Sequence, residues 1–413
     1  MKKKNIIPMG IPLWNNKEFL NIIKYGIFTN NSAKKKYELL IKQSFGMKYC
    51  FFTDLGRQAI TLALMGLGVN KGDEVIVPSF VCQNVVAPIV FMGATPRYVD
   101  IDDDYNISPE SVKQNICDKT SVIIVPHLFG KVARIKEIQT IACSRGIPVI
   151  DDAAQSVGAK INDRYIGTFG DIGILSFGPF KSITATRGGA LLLNDDMIYE
   201  KIKKIEILNH RRIPLIRGLK SIIKFKMRKF SLPLISKINQ HSIYGKKKPQ
   251  SLAEFFKTFT SESTPCNIDL MDLSIIKCQL DKLPSIISKR KQLGIRLTKL
   301  LSEQSWFKTN NHFTGENIFV KYIINLEKLI PKHAIIDVVI SKVLIFLNSR
   351  GIEAHSAYIP MHQNKRLLVS SQPYLKNTED KAPGLICLPI NHDMKLSDID
   401  FIASCINCLP EII

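Results

Sequence analysis

The stretch DDAAQSVGAKINDRYIGTFGDIGILSFGPFKSITATRGG, residues 151–189, decides the fold. An apolar run precedes it and another lies inside it. IPVI at 147–150 reads as a short buried strand that delivers Asp151 and Asp152 at its carboxyl end. IGILSF at 172–177 delivers Ser176 and then, past Pro179, Lys181. In open α/β sheets that edge is where ligands sit.

A carboxylate and a lysine at such an edge suit pyridoxal phosphate. The cofactor's ring is a good electron sink only while its nitrogen is protonated, and a carboxylate against that nitrogen keeps the proton there. Asp152 is assigned that role. The cofactor aldehyde needs a lysine whose basicity is lowered by desolvation and nearby positive charge, so that it can form a Schiff base and later carry protons. Lys181 fits, being followed by small and polar residues that end in Gly188 and Gly189. Each residue alone has a plainer reading, Asp152 as a helix cap and Lys181 as a solvated charge. Together, with glycines between them, they favour the catalytic one.

These motifs resemble the DegT/DnrJ/StrS family of pyridoxal-phosphate sugar aminotransferases, and the resemblance runs along almost the whole chain. D-x-A-Q from Asp152, GTFGDIG at 167–173 and S-F-x-x-x-K from Ser176 carry it, followed by the glycine pair. Upstream, GIFTN at 26–30, Tyr37-Glu38, GRQAI at 56–60, GDEVIVPSF at 72–80, GATP at 93–96, Val99-Asp100 and HLFG at 127–130 match in order. Downstream, Asn267, Gly351-Ile352, YIP at 358–360, His362 and Leu388-Pro389 continue the series.

The resemblance implies the aspartate aminotransferase fold. A large three-layer α/β/α domain with a mostly parallel, seven-stranded sheet would span 1–265, carrying a basic insertion at about 211–262. A smaller α+β domain with the dimer-contact block would span 266–413. It further implies that Lys181 bonds the aldehyde, Asp152 the ring nitrogen and Gln155 the phenolic oxygen. Ser176 and the backbone amides around Arg57 and Gln58 would hold the phosphate, with Asn267 reaching it from the other subunit of a homodimer. Gly56, before the apolar run AITLAL at 59–64, independently places backbone N–H groups at a helix start, a ready anion site, although such a glycine is also an ordinary cap. Tyr358 and His362 would face the substrate or serve packing. The implied reaction moves an amino group from glutamate or glutamine to a keto sugar, a nucleotide-linked 4-keto-6-deoxyhexose, for surface polysaccharide or an amino sugar.

The chain departs from the family pattern at several positions. Arg57 replaces Ser or Thr, Cys82 an aromatic that stacks on the ring, Gly178 a histidine, Ser182 an asparagine, Arg187 an acid and Asp269 an arginine. The guanidinium of Arg57 would reach the cofactor phosphate or turn to solvent. Because Lys181 is present, the dehydratase branch, in which histidine replaces it, is disfavoured. A regulator that keeps the cofactor without turnover, or a relative acting on another keto substrate, are the alternatives. A nucleotide-binding protein without this cofactor would use GTFG at 167–170 as a phosphate loop, but G-x-G-x-x-G and G-x-x-x-x-G-K patterns are lacking.

Length and composition agree with a two-domain enzyme of 413 residues. Nine scattered cysteines argue against a disulfide framework or structural zinc; Cys405 and Cys408 fall in a helix-like run and read as packing. A reducing cytoplasm is expected. The basic start, MKKKNIIP, has no apolar stretch of signal-peptide length, and no window approaches a membrane span. The net charge of +21 is uneven: residues 211–248 hold 12 Lys or Arg and no Asp or Glu. Within them Leu219, Ile223, Met227 and Phe230 share a helical face, with Lys220, Lys224, Arg228 and Lys229 elsewhere. Three roles stay open: binding an anionic membrane surface from the cytoplasmic side, covering a site that receives a diphosphate, or packing with a solvated face. Nucleic-acid binding is not expected, because no recognised motif accompanies the charge.

Overall fold

The computed structural model describes residues 6–27, 32–205, 207, 215–223, 262–307, 316–364 and 374–413. Of the basic segment, only 215–223 falls within these, so Lys224, Met227, Arg228, Lys229 and Phe230 lie outside the described residues.

Short apolar runs separated by turns and amphipathic helices build the first unit. Its strands are β1 (Tyr49–Thr53), β2 (Glu74–Pro78), β3 (Thr95–Val99), β4 (Thr120–Pro126), β5 (Val149–Asp152), β8 (Ile172–Ser176) and β9 (Gly189–Leu193). They form one sheet in the order β1-β9-β8-β5-β4-β2-β3. From β8 through β3 the pairs are parallel, and β9 runs against both its neighbours. A hairpin of β6 (Lys160–Ile161) and β7 (Arg164–Tyr165) sits in the β5–β8 connection. A parallel sheet needs both faces covered, which explains the near-continuous apolar sequence of these strands. In β4, Val122 and Ile124 enter one core while Ile123 and Val125 enter the other. The three-layer α/β architecture expected from the sequence is present, with its parallel carboxyl ends gathered on one edge.

The second unit carries β10 (Tyr322–Asn325), β11 (His355–Ser356) and β12 (Leu385–Leu388) as an antiparallel sheet in the order β10-β12-β11. The helix Leu270–Leu301 joins the two cores. Its early residues Met271, Leu273, Ile275 and Leu283 pack with the large sheet, and Leu293, Leu297 and Leu301 pack with the small one. The helix therefore contributes to both cores. The N-terminal segment is also shared: Ile7 bridges to Ile352, and Met9 N donates to Glu353 Oε2 at 2.7 Å. Among the described residues no helix is long and apolar enough to cross a membrane.

Candidate active site

Alternation along β5 sends the two adjacent carboxylates to opposite faces. Asp151 is completely buried, and both its oxygens are occupied. His127 Nε2 bonds Oδ1 at 2.8 Å, while the backbone N–H groups of Gly167 and Phe169 each donate to Oδ2 at 2.9 Å. Because Ala133 N donates to His127 Nδ1 at 2.9 Å, the histidine proton sits on Nε2 and points at Asp151. The same bonds decide the role of GTFG at 167–170: two of its amides are committed to a carboxylate, so it is not a phosphate loop.

Asp152 stands on the other face with a single backbone donor, Ala154 N at 2.9 Å. Burial pushes its carboxyl above the usual range; the Ala154 bond and the charge of Lys181 act against that shift, and Asp151 adds to it. A buried carboxylate held this way is matched to a cationic group placed against it.

Lys181 follows β8 through a loop that the core pins. Ala185 N returns to Phe177 O at 2.7 Å, Ile183 is fully buried, and Trp14 Nε1 donates to Thr184 O at 2.8 Å. Phe180, just before the lysine, adopts φ +68°, a left-handed conformation that costs a non-glycine residue about 1–3 kcal/mol. Burial lowers the Lys181 ammonium below its ordinary value, with Cys82 and Asp152 opposing and Lys321 assisting. The fold thus unites Lys181, Asp152 and Cys82, which are far apart in sequence, and lowers the basicity of the amine as a nucleophile requires.

At the start of the helix Gly56–Leu67, the backbone passes so close to β8 that a side chain has no room. A Cβ on Gly56 would lie 2.9 Å from both Cβ and Oγ of Ser176. Gln58 is buried beside them, its Oε1 accepting from Leu55 N at 3.2 Å and its Nε2 without a partner among the described residues. An orphaned buried donor, a hydroxyl and a helix N-terminus at one place are a donor set for an anion, and they fit the phosphate of pyridoxal phosphate. Arg57 Nη1 pairs with Glu262 Oε2 at 2.6 Å.

The opposite wall is aromatic. Tyr358 stacks on Phe129 at 5.6 Å between centroids and meets Phe80 edge-on at 5.8 Å. Burial raises its hydroxyl well above the ordinary value, as do Cys82 and Cys387, while a hydrogen bond with Gln155 opposes the shift. Gln155 Oε1 also accepts from Phe129 N at 3.4 Å. Tyr358, Gln155, Cys82 and Asp152 are therefore one neighbourhood. His362 lies elsewhere in its bonding: Nδ1 meets Ser79 Oγ just past the end of β2, and Nε2 meets Glu379 Oε1 in the helix Lys376–Lys381 at 3.1 Å.

Asn267 accepts from Lys34 Nζ at 2.6 Å within its own chain. Two of the departures from the family pattern share a charge cluster nearby. Arg187 pairs with Asp54 at 2.7 Å, and Arg217 bridges Asp269 and the fully buried Asp272, each at 2.5 Å. Asp272 Oδ1 also accepts from Thr186 N at 2.9 Å, which ties the turn after Lys181 to the long helix. The described part of the basic segment is thereby anchored: a Cβ on Gly218 would touch Ile22 and Met271, while Ile216, Leu219 and Ile223 remain exposed. Lys321, Phe80 and Phe129 were not singled out from sequence. Lys321 is one cation in an otherwise apolar run, and the aromatics read as core.

The family model described as the DegT/DnrJ/EryC1/StrS aminotransferase family matches residues 14–407. A GDP-perosamine synthase of Escherichia coli O157:H7 is 35% identical over 188 residues, 45% of this chain and 52% of that protein. A pleiotropic regulatory protein of Geobacillus stearothermophilus is 40% identical over 154 residues, covering 37% and 41% of the two chains. The chain thus spans about half the length of the curated relatives it matches. Among solved structures, Helicobacter pylori PseC, an aminotransferase involved in the biosynthesis of pseudoaminic acid, superposes with a TM-score of 0.77 at 17% identity over 98% of this chain and 99% of that one, a likeness of fold.

Proposed function

The chain belongs to the DegT/DnrJ/EryC1/StrS aminotransferase family, and on that premise we propose that it is a pyridoxal-phosphate aminotransferase acting on a nucleotide-linked keto sugar. The observation that carries the reading is the buried meeting of Lys181 and Asp152 at the carboxyl ends of β8 and β5. Pyridoxal phosphate, when bound, supplies the electron sink that allows a proton to leave the carbon bearing the amino group.

The chain's own residues do the rest. Gly56 leaves space beside Ser176, and Ser176 Oγ, Gln58 Nε2 and the amides at the helix start hold the phosphate. Asp152 keeps a proton on the ring nitrogen, and Gln155 holds the phenolic oxygen. Cys82 would face the ring, and Tyr358 would face the sugar. Lys181 Nζ would carry the proton between the amino-bearing carbon of the donor or the sugar and the cofactor's aldehyde-derived carbon. Asn267 serves the phosphate of the neighbouring subunit in a homodimer. Glutamate or glutamine is the donor, and a 4-keto-6-deoxyhexose carried on a nucleotide is the acceptor; the GDP-perosamine synthase relative supports that class. The protein would work in the cytoplasm.

The relative named a pleiotropic regulatory protein favours a second reading, a cofactor-binding regulator without turnover. A mass-spectrometric screen of amino donors against nucleotide-sugar ketones separates the two. Formation of an amino sugar with consumption of donor supports the enzyme; a yellow protein that converts no pair supports the regulator. For the basic segment, the exposed Ile216, Leu219, Ile223 and Lys220 support reversible contact with an anionic membrane surface. Co-sedimentation with anionic vesicles that weakens as salt rises is the expected result, and absence of binding at low salt would remove that role.

A further inference from the structure

The site holds one cation that none of the roles above employs. Lys321 lies just before β10, on the second unit, and its backbone is clamped to the first. Ile318 N donates to Gly130 O at 2.9 Å, and Val320 N and Lys321 N both reach Phe129 O, at 2.9 and 3.3 Å. The clamp depends on Gly130, which has φ +90°, and whose Cβ, if present, would stand 2.6 Å from Val320 N. Phe319 turns the chain there with φ +48°. A lysine placed by two unusual backbone conformations is held far more closely than its flexible side chain alone would require.

From that base the Lys321 ammonium reaches over the Tyr358 ring, 5.9 Å from its centroid. Its charge is felt at Lys181. Among the described residues no carboxylate pairs with it. The side chain is half-buried, open enough to meet a ligand. Its neighbours Phe129 and Tyr358 are also those of Gln155, whereas the phosphate cradle is built from Gly56, Gln58 and Ser176. The two sets of residues do not overlap, and Lys321 belongs with the aromatic one.

We propose that Lys321 is the residue that receives a carboxylate of the amino donor and so fixes the donor's α-carbon against Lys181. This rests on the aminotransferase reading. A carboxylate suits the position because a cation with no acid partner beside a reactive amine repels another ammonium and attracts an anion, and a charge-assisted bond there orients the donor without entering the chemistry. Placement on the second unit adds a consequence: donor binding joins the two units across the site, as His362 does at Ser79.

The test compares Lys321→Gln and Lys321→Arg with the unaltered holoenzyme. Glutarate, a dicarboxylate without an amine, is titrated into each by calorimetry at neutral pH, which reads binding without turnover. The unaltered protein should bind glutarate, the Gln variant should bind it roughly tenfold or more weakly, and the Arg variant should keep most of the affinity. In steady-state assays the Gln variant should raise KM for the amino donor by a similar factor and leave KM for the keto sugar within about twofold. Unchanged glutarate affinity in the Gln variant, or no binding by the unaltered protein, overturns the proposal. So does a rise confined to the keto-sugar KM, which would assign Lys321 to the diphosphate. Glutarate binding that depends on Lys321, in a protein that converts no donor, would count against the aminotransferase reading alone.

Discussion

Asp151 and His127 form a pair that never meets solvent, 2.8 Å apart, with the histidine proton directed at the carboxylate by Ala133 on the far side of the ring. The remaining Asp151 oxygen gathers the amides of Gly167 and Phe169. That pair explains why two consecutive aspartates have different tasks, one shaping the β5–β8 connection and the other facing Lys181.

The two positions should separate cleanly. In Asp151→Asn, the amide NH2 would meet a donor whichever way it turned, the His127 Nε2 proton or the Gly167 and Phe169 amides, and would leave buried N–H groups unsatisfied, at about 2–5 kcal/mol of stability by urea denaturation. Its turnover per folded molecule should stay within about tenfold. Asp152→Asn should lose at least about a hundredfold in rate while the cofactor-free protein is no less stable, since burial penalises that carboxylate. Equal rate losses in the two variants would refute the division of roles.

Lys181→Ala removes a buried amine whose charged form is disfavoured, so the fold should survive intact. Borohydride treatment followed by mass measurement should then find no cofactor fixed to the chain. Covalent label on another lysine would move the site.

A mixture of Lys181→Ala with Asn267→Ala protein should regain activity if the asparagine acts across a dimer. One site of each heterodimer would have both residues. Verified subunit exchange without any gain over the parents would return Asn267 to its Lys34 contact within the chain.

Lys131 offers a test of pH dependence away from the active site. It is 7% exposed, and burial pushes it down from 10.5 to about 8, with Asp104 opposing. Between pH 8 and 10.5 the unfolded chain therefore carries a proton that the folded chain has lost, so this group's contribution to stability rises with pH. Below that window the cost of the buried charge is at most about 3 kcal/mol. Lys131→Met should accordingly be more stable than the unaltered protein at pH 7, with the gap closing towards pH 10.5. A constant gap across urea titrations at pH 7, 9 and 10 would show that Lys131 does not titrate there.

Much of this was legible without coordinates because it depends on local order along the chain. Apolar runs of strand length mark β5 and β8, and the residues just past them must lie at a common edge when the strands are parallel. Lys181, Asp152 and Ser176 could be named for that reason, and Gly56 from the helix that starts there. What the chain order does not contain is who stands opposite whom. Which aspartate turns inward follows from the register of β5 between β4 and β8, and the loss of GTFG as a phosphate loop follows from Asp151 beneath it. Gln58 Nε2 is a free donor only because the packed helix leaves it one. Lys321 matters only because Gly130, almost two hundred residues earlier, lets the backbone approach and aim it. Both kinds of information are physical: hydrophobic periodicity is written in neighbouring residues, whereas burial, pairing and shifted basicity are properties of distant residues brought into contact.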